Sequence, residues 1–260
     1  MKNELISILI TNFNKEKFLK NCLNSVYRQN LKNFEIILFD DCSNDNSLKI
    51  IKKYKRIKLI LNKKKISEHA AINQLNGLYQ AFKKSKGKII CLLDGDDYFT
   101  SNKLKEINDF FIKNKKTLSV YNKPKLINKR FILRNKKNIR FIWPSIFPTS
   151  CISARRSFMK NFFEHSNKNK FYNLEIDARI VIFSHFFFNE YNVLDKELTI
   201  YNHDIDGITS NINKFSKKWW LRRSEAFDYL KIILKKKKIK FEKGIDYLIT
   251  KLFNFIIRKV

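Results

Sequence analysis

Glycine and proline are scarce in this chain, with five of one and three of the other in 260 residues. That scarcity argues against long flexible or proline-stiffened linkers. The four cysteines, Cys22, Cys42, Cys91 and Cys151, stand far apart. No pair has the spacing of a metal knuckle or a redox dithiol, so a zinc or disulfide framework is excluded. They read as reduced, buried thiols of a cytosolic protein. No apolar run approaches the roughly 18 residues of a membrane span. The nearest, Ile180 to Phe188, is interrupted by Ser184 and His185. Met1-Lys2-Asn3-Glu4 leads straight into an apolar run too short for a signal peptide, and no cleavage site follows. Carboxylates are also in deficit: 24 acidic residues against 54 basic ones leave a net charge of +30.

The excess charge favours anionic partners such as nucleotide phosphates, an acidic leaflet or nucleic acid. Most of it is lysine, in a chain also rich in Asn, Ile and Phe. All four residues have A/T-rich codons, so genome composition can produce much of the bias. The lysines are spread along the chain, as on a solvated surface. The apolar fraction of 44% is that of a globular protein. The length suits one α/β domain, alone or with a helical extension.

Against this background the string Asp94-Gly95-Asp96-Asp97 stands out. It follows the apolar run Ile89–Leu93, which reads as a buried strand. Crowded carboxylates repel, and a hard divalent cation such as Mg2+ or Mn2+ removes that cost. An acidic turn after a strand is the plainer alternative.

The N-terminal half alternates strand and helix. Ile6–Ile10 is a strand and 11–14 a polar turn. Phe18, Leu19, Cys22, Leu23, Val26 and Tyr27 recur at helical spacing over 15–28. Phe34–Phe39 is a strand ending at Asp40-Asp41, and Ser43-Asn44-Asp45 suits the start of a helix. A strand over 57–61 and a helix over 69–84 complete the series. This repetition implies a doubly wound, mostly parallel sheet of Rossmann type. Ligands of such sheets bind at the carboxyl ends of the strands, so the turn at 11–14, Asp40-Asp41 and 94–97 are expected to face one crevice.

Those three blocks, in that order and separation, resemble glycosyltransferase family 2 with the GT-A fold. The resemblance covers about 5–115 well and 145–210 more loosely. It implies a division into 1–212, a GT-A domain with a nucleotide-sugar half (1–115) and an acceptor half (116–212), and 213–260, a basic amphipathic extension. It implies that Asp41 accepts a hydrogen bond from uracil N3–H; the alternative is a helix cap. Thr11 and Phe13 belong to the nucleotide-binding turn, with Phe13 stacking on the base or packing in the turn. Asp94 and Asp96 match the family's two DxD carboxylates, Asp96 as direct metal ligand and Asp94 on ribose or metal, while Asp97 orients its neighbours. Mn2+ or Mg2+ is the implied cofactor.

In the second half, Glu175-Ile176-Asp177 opens an apolar helical run where the family places its general base. Asp177 is the candidate base and Glu175 the alternative; a helix-dipole role for the carboxylates stays open. The loop from Tyr201 resembles the family's last loop, where a histidine reaches metal or diphosphate, which makes His203 a candidate. Arg155 and Arg156 are candidates to meet an anionic acceptor. One departure concerns the family's basic residue near the diphosphate. Here the segment reads Ala70-Ala71-Ile72-Asn73-Gln74, which leaves Lys63–Lys65 or His69 as substitutes.

After about residue 215 the chain becomes basic and amphipathic. Trp219 and Trp220 share a face with Phe227 and Leu230. Such a tail suits an anionic membrane surface or packing on the catalytic core. The expected activity is inverting transfer of a sugar from a nucleotide-sugar donor, UDP-linked, to a saccharide or lipid-linked acceptor, at the cytoplasmic side. The alternatives are a nucleotidyltransferase, which lacks its glycine-rich phosphate loop here, and a basic nucleic-acid-binding module. No nucleic-acid partner is expected.

Overall fold

The computed structural model describes residues 4–126, 144–166, 170–202 and 212–259. The N-terminal half runs β1 (Ile6–Asn12), α1 (Glu16–Tyr27), β2 (Phe34–Asp40), α2 (Ser47–Ile51), β3 (Ile57–Leu61), α3 (Ala70–Lys84) and β4 (Ile89–Asp94). β5 (Tyr98–Phe99), α4 (Lys103–Lys113), β6 (Ser119–Leu126), β7 (Ile152–Arg155) and α5 (Arg156–His165) follow. α6 (Ile176–Phe187), β8 (Val193–Tyr201), α7 (Lys217–Lys236) and α8 (Ile245–Lys259) complete the described chain.

The strands form one sheet in the order β3-β2-β1-β4-β7-β6-β8-β5. The first four are parallel. β7 is antiparallel to both β4 and β6, and β8 returns parallel to β6. Both faces of the sheet are covered. On β1, Ile8 and Ile10 pack with Leu19, Cys22 and Leu23 of α1, whereas Leu9 points to α3. On β4, Cys91 and Leu93 join the first face while Ile90 and Leu92 join the second. This is the period-two alternation of a strand buried on both sides.

Register carries the function. Asn12 pairs with Asp40, and Thr11 with Asp94. The polar ends of three neighbouring strands are thereby brought side by side. β1 runs two residues beyond the expected end, so Thr11 and Asn12 belong to the ladder and only the residues after them turn. Asn14 takes φ 51° there, and Cys42 takes φ 62° after β2. The two turns lock together: Asn14 N–H donates to Ser43 Oγ at 3.0 Å, and Asn44 N–H to Asn14 Oδ1 at 2.9 Å. Cys42 is therefore half-exposed, unlike the buried Cys22, Cys91 and Cys151.

The division at 212/213 is one of sequence character, and the packing runs across it. Phe227, Tyr229, Leu230 and Ile233 of α7 belong to the same core as Ile180 and Phe183 of α6. Trp220 is buried and stacks on Phe253 of α8, with ring centroids 4.4 Å apart. Among the described residues, no helix is long and apolar enough to cross a membrane.

Candidate active site

A cavity of about 520 Å3 opens at the carboxyl ends of β1, β2 and β4. Thr11, Phe13, Asp41, Asp94, Asp96 and Asp177 all line it. The volume lies within the range of small-molecule sites. The structure thus gathers every described residue singled out from the sequence as catalytic, nucleotide-binding or metal-ligating. His203 lies outside the described residues.

Asp41 sits on the wall just after β2. Its backbone N–H donates to Asn12 O at 2.9 Å, continuing the ladder. Its carboxylate accepts from Asn62 Nδ2 at 2.7 Å, which fixes the plane it presents to the cavity. The local turn is instead closed by Asp40, which accepts from Ser43 N–H at 2.9 Å and from Asn12 Nδ2 at 2.7 Å. Phe13 is 40% exposed, and the Lys65 ammonium rests 3.3 Å from its ring centroid.

The acidic cluster divides by depth. Asp97 is buried; it accepts from Ser150 Oγ at 2.6 Å and from Asn202 N–H at 2.9 Å. Burial, reinforced by Asp96 and Asp94, raises its carboxyl well above the usual range. Asp94 accepts from Thr11 Oγ1 at 2.9 Å and Gln74 Nε2 at 2.8 Å. Burial and the nearby Asp96 push it up to about 6. Asp96 meets a full positive charge, the Lys15 ammonium 2.7 Å from Oδ2. Gly95 leaves no room for a side chain: a Cβ there would lie 2.7 Å from Asn12 Oδ1 and 3.2 Å from Thr11 O.

Two crowded carboxylates, one held by neutral donors and one by a lysine, fit a hard cation. Among the described residues no cluster of three or more His, Cys, Asp or Glu side chains could hold a metal. Among the described residues, then, a cation bound by Asp94 and Asp96 finds no third protein ligand, and water or substrate can complete its shell.

Glu175 and Asp177 sit at the start of α6. Glu175 is buried and ion-paired to Arg222 of α7. Asp177 accepts from Ala178 N–H at 2.6 Å and lines the cavity. Burial, then Glu175, pushes it up to about 7, with Arg222 opposing. Arg179 shapes the loop before the helix. It is fully buried and donates to the carbonyls of Ser166, Lys170, Phe171 and Leu174.

Arg155 and Arg156 do not reach the cavity. Arg155 donates to Thr117 O and Phe111 O, and Arg156 to Gly87 O and Ser85 Oγ. The strand β7 ends away from the cavity, which carries both arginines to the opposite edge. His69 stacks on Tyr172 and does not line the cavity. Lys65 does line it, together with Lys15, which the sequence reading missed. A lysine one residue ahead of a helix carries no signal of its own. Gln74, Ser150, Asn202 and Arg222 were also missed, because Gln74 meets Asp94 only through the packing of α3 on the sheet and the other three act across more than 45 residues of chain.

The glycosyl transferase family 2 profile matches residues 7–188. The chain belongs to glycosyltransferase family 2. Poly(ribitol-phosphate) beta-N-acetylglucosaminyltransferase TarS of Staphylococcus aureus is 33% identical over 108 residues, 40% of this chain and 18% of TarS. The Escherichia coli UDP-Glc:alpha-D-GlcNAc-diphosphoundecaprenol beta-1,3-glucosyltransferase WfaP is 36% identical over 101 residues, 39% of either chain. Both matches span well under half of the relative. The crystal structure of TarS 1–349 with UDP superposes with TM-score 0.62 at 18% identity, covering 96% of this chain and 69% of that one. A Pyrobaculum calidifontis mannosyltransferase solved with GDP-Man and Mn2+ gives 0.54 at 12% identity, covering 98% and 70%. At these identities the likeness shows the GT-A fold.

Proposed function

We propose that this family 2 member transfers a sugar from a UDP-sugar to an acceptor hydroxyl with inversion at the anomeric carbon. One observation carries the reading: Asp41, Asp94, Asp96, Lys15, Lys65 and Asp177 line a single cavity at the strand ends. Asp41, steadied by Asn62, accepts the uracil N3–H and repels cytosine, which presents an acceptor there. Phe13 offers a face to the ring; aromatic–base stacking contributes on the order of 1–3 kcal/mol. Lys65 and Lys15 face the diphosphate in place of the basic residue that the first turns of α3 lack.

Asp94 and Asp96 would hold a divalent cation, which when bound neutralises charge on the diphosphate leaving group. Asp177 takes the proton of the acceptor hydroxyl as its oxygen bonds to the anomeric carbon and the bond to the diphosphate breaks. A carboxyl that titrates near 7 suits a base working at neutral pH. Glu175, neutralised by Arg222, is spent on holding the helix start. Acceptors resembling those named for the relatives, a polyol-phosphate polymer or a lipid-linked saccharide, are the first to try.

A nucleotide-release screen over UDP-, dTDP- and GDP-sugars with Mn2+ or Mg2+ tests this. UDP release from one sugar, abolished by chelator, is expected. Release from GDP-sugars alone would remove the role of Asp41, and release indifferent to chelator would remove the metal.

A further inference from the structure

The helix α8 is mounted with its polarity reversed. Globular helices turn their apolar stripe inward. Here the inward face is polar. Asn254 Nδ2 donates to Trp220 O at 2.8 Å, Lys251 Nζ to Ser224 Oγ at 2.8 Å, and Arg223 Nε to Thr250 Oγ1 at 3.1 Å. Lys231 Nζ reaches Tyr247 OH at 2.7 Å. The outward face is hydrocarbon: Ile245, Leu248, Ile249, Leu252 and Ile256 are all exposed, Ile245 by 77%. Their spacing repeats at three and four residues, so they form one continuous stripe. Contiguous exposed apolar surface of this kind marks a docking site.

Charge selects the occupant. At one end of the stripe the turn from α7 carries exposed Lys235–Lys238, Lys240 and Lys243 against a single exposed acid, Glu242. At the other end, where Phe253 stacks on Trp220, lie exposed Lys214, Lys217 and Lys218 beside Phe215, itself 63% exposed. The hairpin's other acids are turned to internal partners, Asp246 to Arg223, Asp228 to Lys251 and Glu225 to Asn173. A second copy placed on this face, in either direction, sets lysine cluster against lysine cluster in molecules of net charge +30. An anionic lipid surface matches both features: hydrocarbon for the stripe and headgroup charge for its lysine-rich ends.

We infer that the outward face of α8 docks on an anionic phospholipid bilayer, lying in the plane of the interface. Trp220 is not an anchor, since it is buried within the hairpin. The same α7 that carries α8 also carries Arg222, which closes on Glu175 at the cavity wall. Docking and the cavity thus share one helix, but the inference stands whatever the cavity binds.

The test is sedimentation of the full chain with vesicles of phosphatidylglycerol mixed with phosphatidylcholine, and with phosphatidylcholine alone. Binding to the anionic vesicles at least about tenfold tighter than to the neutral ones, weakened by salt, is expected. The double variant Leu248→Glu, Leu252→Glu changes only exposed side chains. It should lose about tenfold or more of that binding while keeping its melting temperature and UDP affinity. Three results overturn the inference. The intact chain ignores anionic vesicles; the variant binds them equally, which leaves diffuse charge as the cause; or the intact chain is a dimer that the variant dissociates, which makes a second copy the occupant.

Discussion

Lys15 Nζ lies 2.7 Å from Asp96 Oδ2, so the carboxylate assigned to a metal already has a cation beside it. The lysine belongs to the turn after β1 and the aspartate to the turn after β4, two strands that are neighbours in the sheet. Such a lysine lowers the cost of the acidic cluster when no metal is bound. It also competes with one.

Lys15→Gln is therefore expected to bind Mn2+ about 2- to 5-fold more tightly, the size of a partly exposed ion pair. Metal-free affinity for UDP should fall at the same time, because the cavity loses one of its two described lysines. Calorimetry with each ligand separately reads both changes. Unchanged affinities for metal and UDP would show that the pair is a surface contact without influence on the site.

Asp177→Asn should keep UDP binding and lower transfer by something like 10²–10⁴-fold. In the intact enzyme the rate should rise with pH through about 7, where Asp177 loses its proton. Stability runs the other way. The folded carboxyl titrates near 7, above the unfolded value of about 4, so the folded state holds the proton more tightly. Stability is highest when Asp177 is protonated and falls as pH rises from about 4 to 7. Asparagine removes that fall, a gain of up to about 4 kcal/mol at pH 8 and little at pH 4. Calorimetric melting at both pH values checks the sign; a variant less stable at pH 8 contradicts it.

Arg222→Gln leaves the buried Glu175 without its counter-ion. Removing one partner of a buried pair costs about 3–5 kcal/mol, lowered where the survivor takes up a proton. The double variant with Glu175→Gln should recover a large part of that loss. Urea unfolding of the two variants decides; equal stabilities would mean that the two side chains do not interact.

Gly95→Ala forces a methyl against Asn12 Oδ1 and the Thr11 carbonyl. A cost of about 1–3 kcal/mol is expected from overpacking of this kind. The displaced segment carries both carboxylates proposed to hold the metal, so metal-dependent UDP affinity should drop further than global stability explains. Affinity equal to the parent in a folded variant would show that the turn has slack.

Periodicity and turn chemistry made the first half of the fold legible. Apolar runs of five to seven residues alternating with helical stripes located β1 to β4 and their flanking helices within two residues at most ends. The acidic ends of those strands announced the cavity, since parallel order alone puts them on one edge. The second half was less readable because its strands come from distant segments and pair antiparallel, as β7 does between β4 and β6. Lys15 at Asp96 and Arg222 at Glu175 were invisible for a related reason. Each is a pair created by register or helix packing, and basic residues are too common in a chain of this charge to stand out. The tail misled in a specific way. Its tryptophans both look like interface anchors, but Trp220 sits between α7 and α8 while Trp219 stays half-exposed, and it is the aliphatic side of α8 that faces outward.

The central claim is a UDP-sugar site built on Asp41 and the Asp94–Asp96 pair. Titration calorimetry of UDP into the parent chain, with Mn2+ and with chelator, and into Asp96→Ala with Mn2+, tests it most directly. Binding that is strong with Mn2+, at least about tenfold weaker with chelator and equally weak in Asp96→Ala is expected. Equal affinity under all three conditions would contradict the account.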